Sequence, residues 1–473
     1  MTRVVPAALI VLLGLPLGAT QSAQGSAPAA PAESSARSPE VGHPFVRVYR
    51  PYDVGGASQI WSIVQDKRGM LYFGIGEAVL EFDGATWRRI RLEAGGVGRS
   101  LAIDANGRIY VGSSAQLGYL APDQHGEMQF VSLLDRLPKN SPPMADVWRI
   151  FVADDGVLFQ TDRAIYRWAN NQMTMILPPS RYARASFANG HLYVVTPESG
   201  LNVLEGSTLR PLRGTGALRD EPYPAVVRYD DTRLLIATRR SGLFLYDGTS
   251  LTPFKTELDD FLTSAQIYRA TELPDGTFIV ISITNGAALI DHQGRRVMEL
   301  TAADGLPSDT VLYPMVDREG ALWLATDNGI ARVETPSPVS FFKASDGLPG
   351  ATIAKMMRHD GRLFLATGNG VVYFVPAAGS SRAHFEPVSG VISQCWDFAE
   401  VPDPKAGHSR LSLACSSGFF EIDGARAIPV EAPADLSFKA AVLRASVVDP
   451  SRVWAGLFDG LASFRLENGR WFN

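Results

Sequence analysis

The sequence predicts an all-β protein, a β-propeller with one seven-bladed ring and about three blades of a second, incomplete propeller. Three observations lead to this fold class. A segment recurs ten times at a spacing of about 42 residues, which is the length of one propeller blade. Each copy contains three or four short apolar runs between turn residues, without the apolar spacing of a helix. A further strand-like run, "FVRVYR" at 45–50, precedes the first copy.

The repeat is most regular at 304–334 and is nearly duplicated at 346–375. Its second strand is the best marker, because it reads apolar, aromatic, apolar and small before a turn. Besides these two copies, the marker occurs at 69–84, 107–120, 156–168, 190–206, 233–248, 276–291, 410–424 and 452–464. Leucine-rich repeats are shorter, and helical repeats need apolar residues at i, i+3, i+4 and i+7, so a four-stranded blade fits best.

The residue types in the turns of the repeat follow from the geometry of a hairpin turn. The pattern D-x-x-G occurs at 66–69, 104–107 and 317–320. In a hairpin turn the Asp accepts hydrogen bonds from its own backbone, and the Gly adopts a positive φ. Calcium would need a clustered, oxygen-rich loop, which is missing. We therefore expect these residues to build turns and no metal site.

The N-terminal segment predicts export. Arg3 precedes an apolar stretch, 4–19, that Pro and Gly interrupt and small residues follow, which is typical of a signal peptide at 1–23. An uncleaved signal anchor is the alternative. Residues 24–44 are rich in Ala, Pro and Ser and predict a disordered linker. No second apolar run of 18 residues exists, so we expect a periplasmic or secreted chain without a membrane span.

Counting copies divides the chain further. Seven copies end near Val333 and "ETPSPVS" (334–340) follows as a linker, so we expect a ring at 45–335 and a partial propeller at 336–473. The run 45–50 lacks a blade of its own, and we expect it to supply the outer strand of blade seven. Three further blades would leave open sheet edges. The chain is then either a truncated piece of a longer protein or completes its second ring with another chain.

The two cysteines, Cys395 and Cys415, lie symmetrically about the loop 400–410 between two strand-like runs. Symmetric positions of a hairpin face one another, so a cross-strand disulfide is one interpretation. Two small buried apolar residues are the other.

One position of the repeat carries the candidate binding residues. Eight residues before the marker turn, at the start of the innermost strand, several copies have an aromatic residue or Arg where the most regular copies have Leu312 and Ile353. The predicted ligand-binding residues are Trp61, Arg99, Trp148, Tyr182 and Tyr268 at this position and Arg149 and Arg269 directly after it, and Trp396 shares the position. Innermost strands line the channel of a propeller, where such side chains could bind a sugar. Alternatively, the aromatic residues pack as core between blades.

The sequence shows few other residues in patterns typical of a catalytic or metal-binding site. The seven histidines, which begin with His43, are scattered without metal-ligand spacing and fall mostly in predicted turns or linkers. No catalytic set, metal site or cofactor site is expected. The net charge of −5 gives no indication of nucleic acid or of an anionic membrane as partner.

The full pattern resembles the two-component regulator propeller repeat. The matching positions are 304–307, 317, 320, 322–326 and 329–332 in one copy, and 346–349, 361, 363–367 and 370 in the next. The resemblance covers about 45–473, and only these two copies match closely. It implies a periplasmic sensor region of a hybrid histidine kinase or diguanylate cyclase. Such sensors have two seven-bladed propellers, an immunoglobulin-like module, a transmembrane helix and a cytoplasmic output domain.

The resemblance sets the functional expectation. The chain would bind a small, carbohydrate-derived ligand such as an oligosaccharide and pass the signal to an output domain that it does not itself contain. The parent sensor would act as a homodimer and carry the kinase or cyclase activity, whereas this chain would not be an enzyme. The alternatives are a propeller enzyme, of the polysaccharide lyase or quinoprotein-like kind, and a scaffold that binds a partner protein.

Overall fold

The described residues form ten four-stranded antiparallel sheets, joined by turns and loops. The computed structural model describes residues 40–472 apart from 93–95, 178–183, 223, 336, 338, 379–380, 404–406 and 432–438. The predicted signal peptide and most of the predicted linker lie outside these residues. In nine of these sheets the strands pair in sequence order, from the innermost strand to the outermost, as consecutive hairpins do, and in the tenth the N-terminal strand takes the outer place. The predicted propeller fold is confirmed.

The first strand and the strands of blades 1 to 4 are β1 (Val46–Tyr49); β2 (Ile60–Gln65), β3 (Leu71–Ile75), β4 (Ala78–Phe82) and β5 (Trp87–Arg91); β6 (Gly98–Ile103), β7 (Ile109–Ser113), β8 (Gln116–Pro122) and β9 (Met128–Ser132); β10 (Val147–Ala153), β11 (Gly156–Thr161), β12 (Ile165–Ala169) and β13 (Gln172–Leu177); β14 (Ser186–Ala188), β15 (His191–Thr196), β16 (Gly200–Glu205) and β17 (Thr208–Pro211).

Blades 5 to 7 contain β18 (Ala225–Arg228), β19 (Leu234–Ala237), β20 (Leu243–Tyr246) and β21 (Leu251–Pro253); β22 (Ile267–Glu272), β23 (Phe278–Ser282), β24 (Ala287–Ile290) and β25 (Arg296–Leu300); β26 (Val311–Val316), β27 (Leu322–Thr326) and β28 (Gly329–Val333). The short helix α1 (Asp259–Ser264) precedes β22. Single 3-10 turns lie at Leu134–Arg136, Gly216–Leu218, Ala302–Asp304 and Ala344–Asp346.

Blades 8 to 10 contain β29 (Ile353–His359), β30 (Arg362–Thr367), β31 (Gly370–Val375) and β32 (His384–Pro387); β33 (Cys395–Asp403), β34 (His408–Cys415), β35 (Gly418–Asp423) and β36 (Arg426–Pro429); β37 (Ala440–Ala445), β38 (Arg452–Leu457), β39 (Leu461–Glu467) and β40 (Arg470–Phe472).

The first seven blades close into a ring through the N-terminal strand. β1 pairs antiparallel with β28, with Val46 opposite Val333, and so becomes the outer strand of blade 7. The core between blades 7 and 1 is continuous, because Tyr49 and Trp323 stack at 5.6 Å and Phe73 packs against them. Closure in this way gives blade 7 its fourth strand and links the N-terminal segment to the last blade of the ring. Residues 45–50 therefore have the role that their position before the first repeat predicts.

The aspartates of the D-x-x-G turns tie each turn to its blade. In blade 7 the Asp317 carboxylate accepts a hydrogen bond of 2.7 Å from the Trp323 indole and one of 2.8 Å from the Ala321 amide. In blade 2, Asp104 accepts from the Tyr110 hydroxyl at 3.3 Å. Both aromatic residues follow their aspartate by six positions, so each carboxylate satisfies the polar atom of an aromatic side chain that fills the blade core.

The last three blades pack on one another in the same way. One buried cluster, which includes Phe364 and Phe398, joins blades 8 and 9, and a second, which includes Phe419 and Phe464, joins blades 9 and 10. Cys395 and Cys415 lie directly opposite each other on β33 and β34, fully buried, and are joined as a disulfide. Blade 10 exposes large apolar side chains, among them Phe458 and Leu461.

A buried ionic bridge connects the segment before β1 to blade 8. His43 lies between two carboxylates, with Nδ1 2.7 Å from Asp304 Oδ1 and Nε2 2.7 Å from Asp346 Oδ1. Arg382 of the loop before β32 also pairs with Asp304. The hydrogen bond to Asp304 outweighs burial and raises the pKa of His43, with a further contribution from Asp346. Burial opposes the ionised form of Asp304, yet the hydrogen bonds from His43 and Arg382 hold its pKa well below the usual range.

This bridge corrects the sequence-based interpretation of His43. The composition of 24–44 predicts a disordered linker and solvated histidines, but His43 is buried and its backbone forms a β-bridge with Phe341. The partners are the aspartates of the two Asp-Gly-Leu-Pro motifs. Each also caps a 3-10 turn whose next residue, Gly305 or Gly347, has a positive φ. The motif therefore builds a turn and supplies a carboxylate to the bridge.

Candidate functional site

The candidate binding residues occupy a β-bulge at the start of the innermost strands. In eight of the ten described innermost strands, the register with the second strand slips by one residue at this point, and the extra residue has no partner. The bulged residues are Trp61, Arg99, Trp148, Tyr268, Leu312, Ala354, Trp396 and Ala441. A bulge bends the strand and redirects its side chain. In blade 8 the bulge lies at Ala354 and not at the predicted Ile353.

Three of these blades, together with blade 4, contribute to a stack of alternating aromatic and arginine side chains, here called the belt (Trp61, Arg99, Trp148 and Arg184). The Arg99 guanidinium lies 4.4 Å from the ring centre of Trp61 and 4.6 Å from that of Trp148. Arg184, which immediately precedes β14, lies 3.8 Å from the Trp148 ring. The belt therefore runs across blades 1 to 4 through cation–π contacts.

Acidic residues complete the belt. Asp162 accepts a hydrogen bond of 2.8 Å from the Trp148 indole and lies 3.3 Å from the Arg184 guanidinium. Asp146 lies 3.4 Å from Arg99. Arginines from the blades on either side already cover Trp148, so this side chain supports its neighbours and is not an open platform for a sugar ring. In this respect the belt differs from the predicted open ring of aromatic residues.

A second group, here called the channel cluster (Arg149, Tyr268, Arg269 and Tyr313), comes from blades 3, 6 and 7. Arg149 directly follows the bulge of β10 and is only 7% exposed. Arg269 follows the bulge of β22, and its guanidinium lies 4.3 Å from the ring centre of Tyr313 on β26. Burial lowers the pKa of Arg149 to about 9, and the positive charges of Arg269 and Arg184 add to this effect. Blades 3, 6 and 7 have only the central channel in common, so the cluster lies there.

Neither arginine of the channel cluster has an acidic partner. Among the described residues, the side chains of Arg149 and Arg269 form no ion pair and no hydrogen bond, and the Nε of Arg269 is buried without a partner. Elsewhere in the chain, partly buried arginines are paired, as Arg410 is with Asp403 and Glu421. Within the described residues, the channel therefore holds uncompensated positive charge, in a chain whose net charge is −5.

The structure separates the predicted residues into groups. Trp61, Arg99 and Trp148 fall in the belt, and Arg149, Tyr268 and Arg269 fall in the channel cluster. Tyr182 lies outside the described residues. Trp396 belongs to the second, incomplete propeller, where its ring lies 6.4 Å from that of Phe458.

Two residues that reach the site were not predicted. Counting eight residues back from the marker turn does not find Arg184, because the innermost strand of blade 4 is shorter and starts later, at Ser186. Tyr313 follows the bulged Leu312, as Arg149 follows Trp148 and Arg269 follows Tyr268. The signal that could have found Tyr313 is thus the position after the bulge.

The rest of the described chain offers little competing chemistry. In the part of the chain that the structure describes, no three His, Cys, Asp or Glu side chains converge where a metal ion could bind. An open cleft on blades 8 and 9 is lined by Leu348, Val371, Val388 and neighbours, and its described lining includes no charged side chain. Within the described residues, no helix has the length and apolar character needed to cross a membrane.

Comparison with known proteins supports the architecture. No family model matches the chain, and no curated protein matches it. Among solved structures, the extracellular domain of BT3049 from B. thetaiotaomicron, described as part of a hybrid two-component system, is 17% identical with a TM-score of 0.68. The match covers 91% of this chain and 60% of that chain. This chain has the propeller fold of that extracellular domain. At such low identity the likeness extends to the fold alone.

Two further structures are less similar. The extracellular domain of BT4673 from B. thetaiotaomicron, described as part of a one-component system, is 15% identical with a TM-score of 0.49, and the match covers 89% of this chain and 58% of that chain. Virginiamycin B lyase from Staphylococcus aureus is 10% identical with a TM-score of 0.46, over 61% of this chain and 98% of that chain. This chain therefore spans about 60% of the length of the BT3049 domain.

Proposed function

We propose that the chain is the exported sensor region of a bacterial signal-transduction protein, and that a small ligand binds in the channel of its seven-bladed ring. The observation that carries the proposal is the channel cluster, in which Arg269 and the buried Arg149 come from separate blades, lie near enough to interact electrostatically, and have two tyrosines beside them. Polar groups that converge in a concave, partly apolar site are typical of ligand binding. The likeness of the fold to an extracellular domain described as part of a two-component system supports the sensor role.

In this proposal the ligand is carbohydrate-derived, the chain binds it without converting it, and an output domain of a longer, dimeric parent protein receives the signal. The enzyme alternative would require groups that transfer protons at the substrate. The described channel cluster offers tyrosine hydroxyls for such a step, so an activity assay is needed to separate the two roles. A turnover assay on polyanionic glycans, monitored for unsaturated products, is expected to show no reaction.

The proposal is tested with ligand-dependent thermal stabilisation of the purified chain against a panel of neutral and acidic oligosaccharides. We expect at least one member to raise the melting temperature. Trp148→Ala, which removes the support of two belt arginines, and Tyr268→Ala are expected to abolish that rise. Trp454→Ala, a half-exposed tryptophan of blade 10, is the matched control and should keep it.

Two results would count against the proposal. If no member of the panel stabilises the chain, the carbohydrate sensor role is lost. If the stabilisation survives both Trp148→Ala and Tyr268→Ala in folded protein, the ligand binds outside the ring channel.

A further inference from the structure

The channel cluster contains buried positive charge that the described protein leaves uncompensated. Removing a guanidinium from water is costly unless an anion or several acceptors replace the water. Arg149 is 7% exposed and has no described ion-pair or hydrogen-bond partner, and Arg269 is near enough to disfavour its charged form. Repulsion between the two arginines raises the cost further.

The same chain shows how it compensates such charges when they serve the fold alone. Arg382 pairs with Asp304 and Glu299. The belt arginines Arg99 and Arg184 each lie beside an aspartate, although they also contact aromatic rings. Among the residues that the structure describes, the channel cluster lacks this compensation, which is the reason to look for its counter-charge in a bound ligand.

We propose that the channel of the seven-bladed ring binds the anionic group of its ligand, a carboxylate or a sulfate, between Arg149 and Arg269. This inference deepens the proposed function and rests on the same site. The planar fork of a guanidinium matches the two oxygens of a carboxylate or sulfate, and such charge-assisted pairs are among the strongest hydrogen bonds in proteins. The rings of Tyr268 and Tyr313 would pack against the uncharged body of the ligand. An acidic sugar combines both features.

The first experiment compares four probes by calorimetry and thermal shift: glucuronate, glucose 6-sulfate, neutral glucose and inorganic sulfate. We expect both acidic sugars to bind and glucose not to bind at the same concentration. Binding of glucose 6-sulfate without binding of glucuronate would indicate a sulfated ligand. Binding of glucuronate alone would indicate a carboxylated ligand. Equal stabilisation by glucose would overturn the inference, because the charge would then contribute nothing.

The second experiment removes the arginines one at a time. Arg149→Gln and Arg269→Gln are each expected to weaken binding of the acidic sugar by about 30-fold or more, the usual effect of truncating one partner of a buried charge pair. Arg91→Gln, on the exposed outer strand of blade 1, makes the same change in net charge and should leave binding unchanged. An equal loss in all three variants would show that only the overall charge matters, which contradicts a site.

A third measurement needs no ligand. If Arg149 is an uncompensated binding residue, Arg149→Met removes buried repulsion, so the melting temperature of the free chain should rise or stay constant. If Arg149 is instead a structural residue, the same change should lower the melting temperature. A fall of several degrees would overturn the inference regardless of which probes bind.

These outcomes separate the inference from the proposed function. If a neutral oligosaccharide binds and Trp148→Ala abolishes binding while Arg149→Gln does not, the sensor proposal stands and the anion site fails. If simple anions bind through Arg149 but no oligosaccharide binds, the anion site stands and the carbohydrate sensor fails.

Discussion

The bridge through His43 predicts a large and pH-dependent stability effect. His43→Ala removes a buried imidazolium whose two ring nitrogens each lie 2.7 Å from a carboxylate oxygen. Breaking a buried ion pair costs about 3–5 kcal/mol, because the remaining partner keeps its buried charge. Asp304 is still neutralised by Arg382 in the variant, whereas Asp346 loses its cation. We therefore expect a loss at the lower end of that range, about 3 kcal/mol.

The sign of the pH dependence follows from the direction of the pKa shifts. The pKa of His43 is raised above its ordinary value of 6.5 in the folded chain. Its stabilising effect is therefore complete below about pH 6.5 and is lost as the pH rises through the folded-state pKa. Asp304 behaves oppositely, since its lowered pKa gives a contribution that is present above the ordinary value of 3.8 and lost as the pH falls through the folded-state value.

The assay is differential scanning calorimetry or guanidinium unfolding of wild type and His43→Ala at pH 5.5, 7 and 9. The difference in the free energy of unfolding should be largest at pH 5.5 and shrink at pH 9. His125→Ala, a change in an exposed turn, is the matched control and should have no effect at any pH. The reasoning is refuted if His43→Ala is as stable as wild type at pH 5.5, or if the difference grows with pH.

Two further changes test the fold. Gly74→Ala should destabilise the ring by about 1–3 kcal/mol, because the added Cβ would lie 2.4 Å from the Gly98 carbonyl oxygen of the next blade. The control is Gly76→Ala, whose added Cβ meets no atom within 4 Å. In thermal melts this control should be as stable as wild type. Replacing Cys395 and Cys415 together by Ser should cost about 3 kcal/mol, as expected for a cross-link between residues 20 apart, and equal melting temperatures with and without reductant in wild type would contradict this expectation.

The fold could be predicted because a propeller repeats a local pattern. Each blade consists of consecutive hairpins, so turn chemistry and strand length specify it without long-range information. Even ring closure could be predicted from the sequence, because the run at 45–50 has no blade of its own and could supply the outer strand of blade 7. The register of β1 against β28 agrees with that prediction.

Contacts between distant segments could not be predicted in this way. His43 reaches its two aspartates across more than 250 residues, and nothing in its local sequence, rich in Pro, Ser and Ala, indicates burial. The partners were visible only as members of the Asp-Gly-Leu-Pro motif, where a turn-building role is a sufficient explanation for each aspartate.

The candidate site could be predicted only in part. Counting back from the marker turn located the bulge, because the bulge recurs at one place in the repeat. The count fails where a blade departs from the repeat, as at Arg184, whose strand is shorter, and at Ile353, whose neighbour Ala354 is the bulged residue.

The bulge also explains why binding residues and blade-building residues coexist in one repeat. The remaining positions of the innermost strand are constrained by packing between blades, as Val147 and Ile150 are on β10. The bulged residue has no partner on the second strand, so Trp148 can vary without disturbing the ladder. Leu312 in the most regular blade shows that an ordinary apolar residue also fits the bulge. An aromatic residue or arginine there is thus not required by the strand pairing, which is why we propose these residues as binding residues.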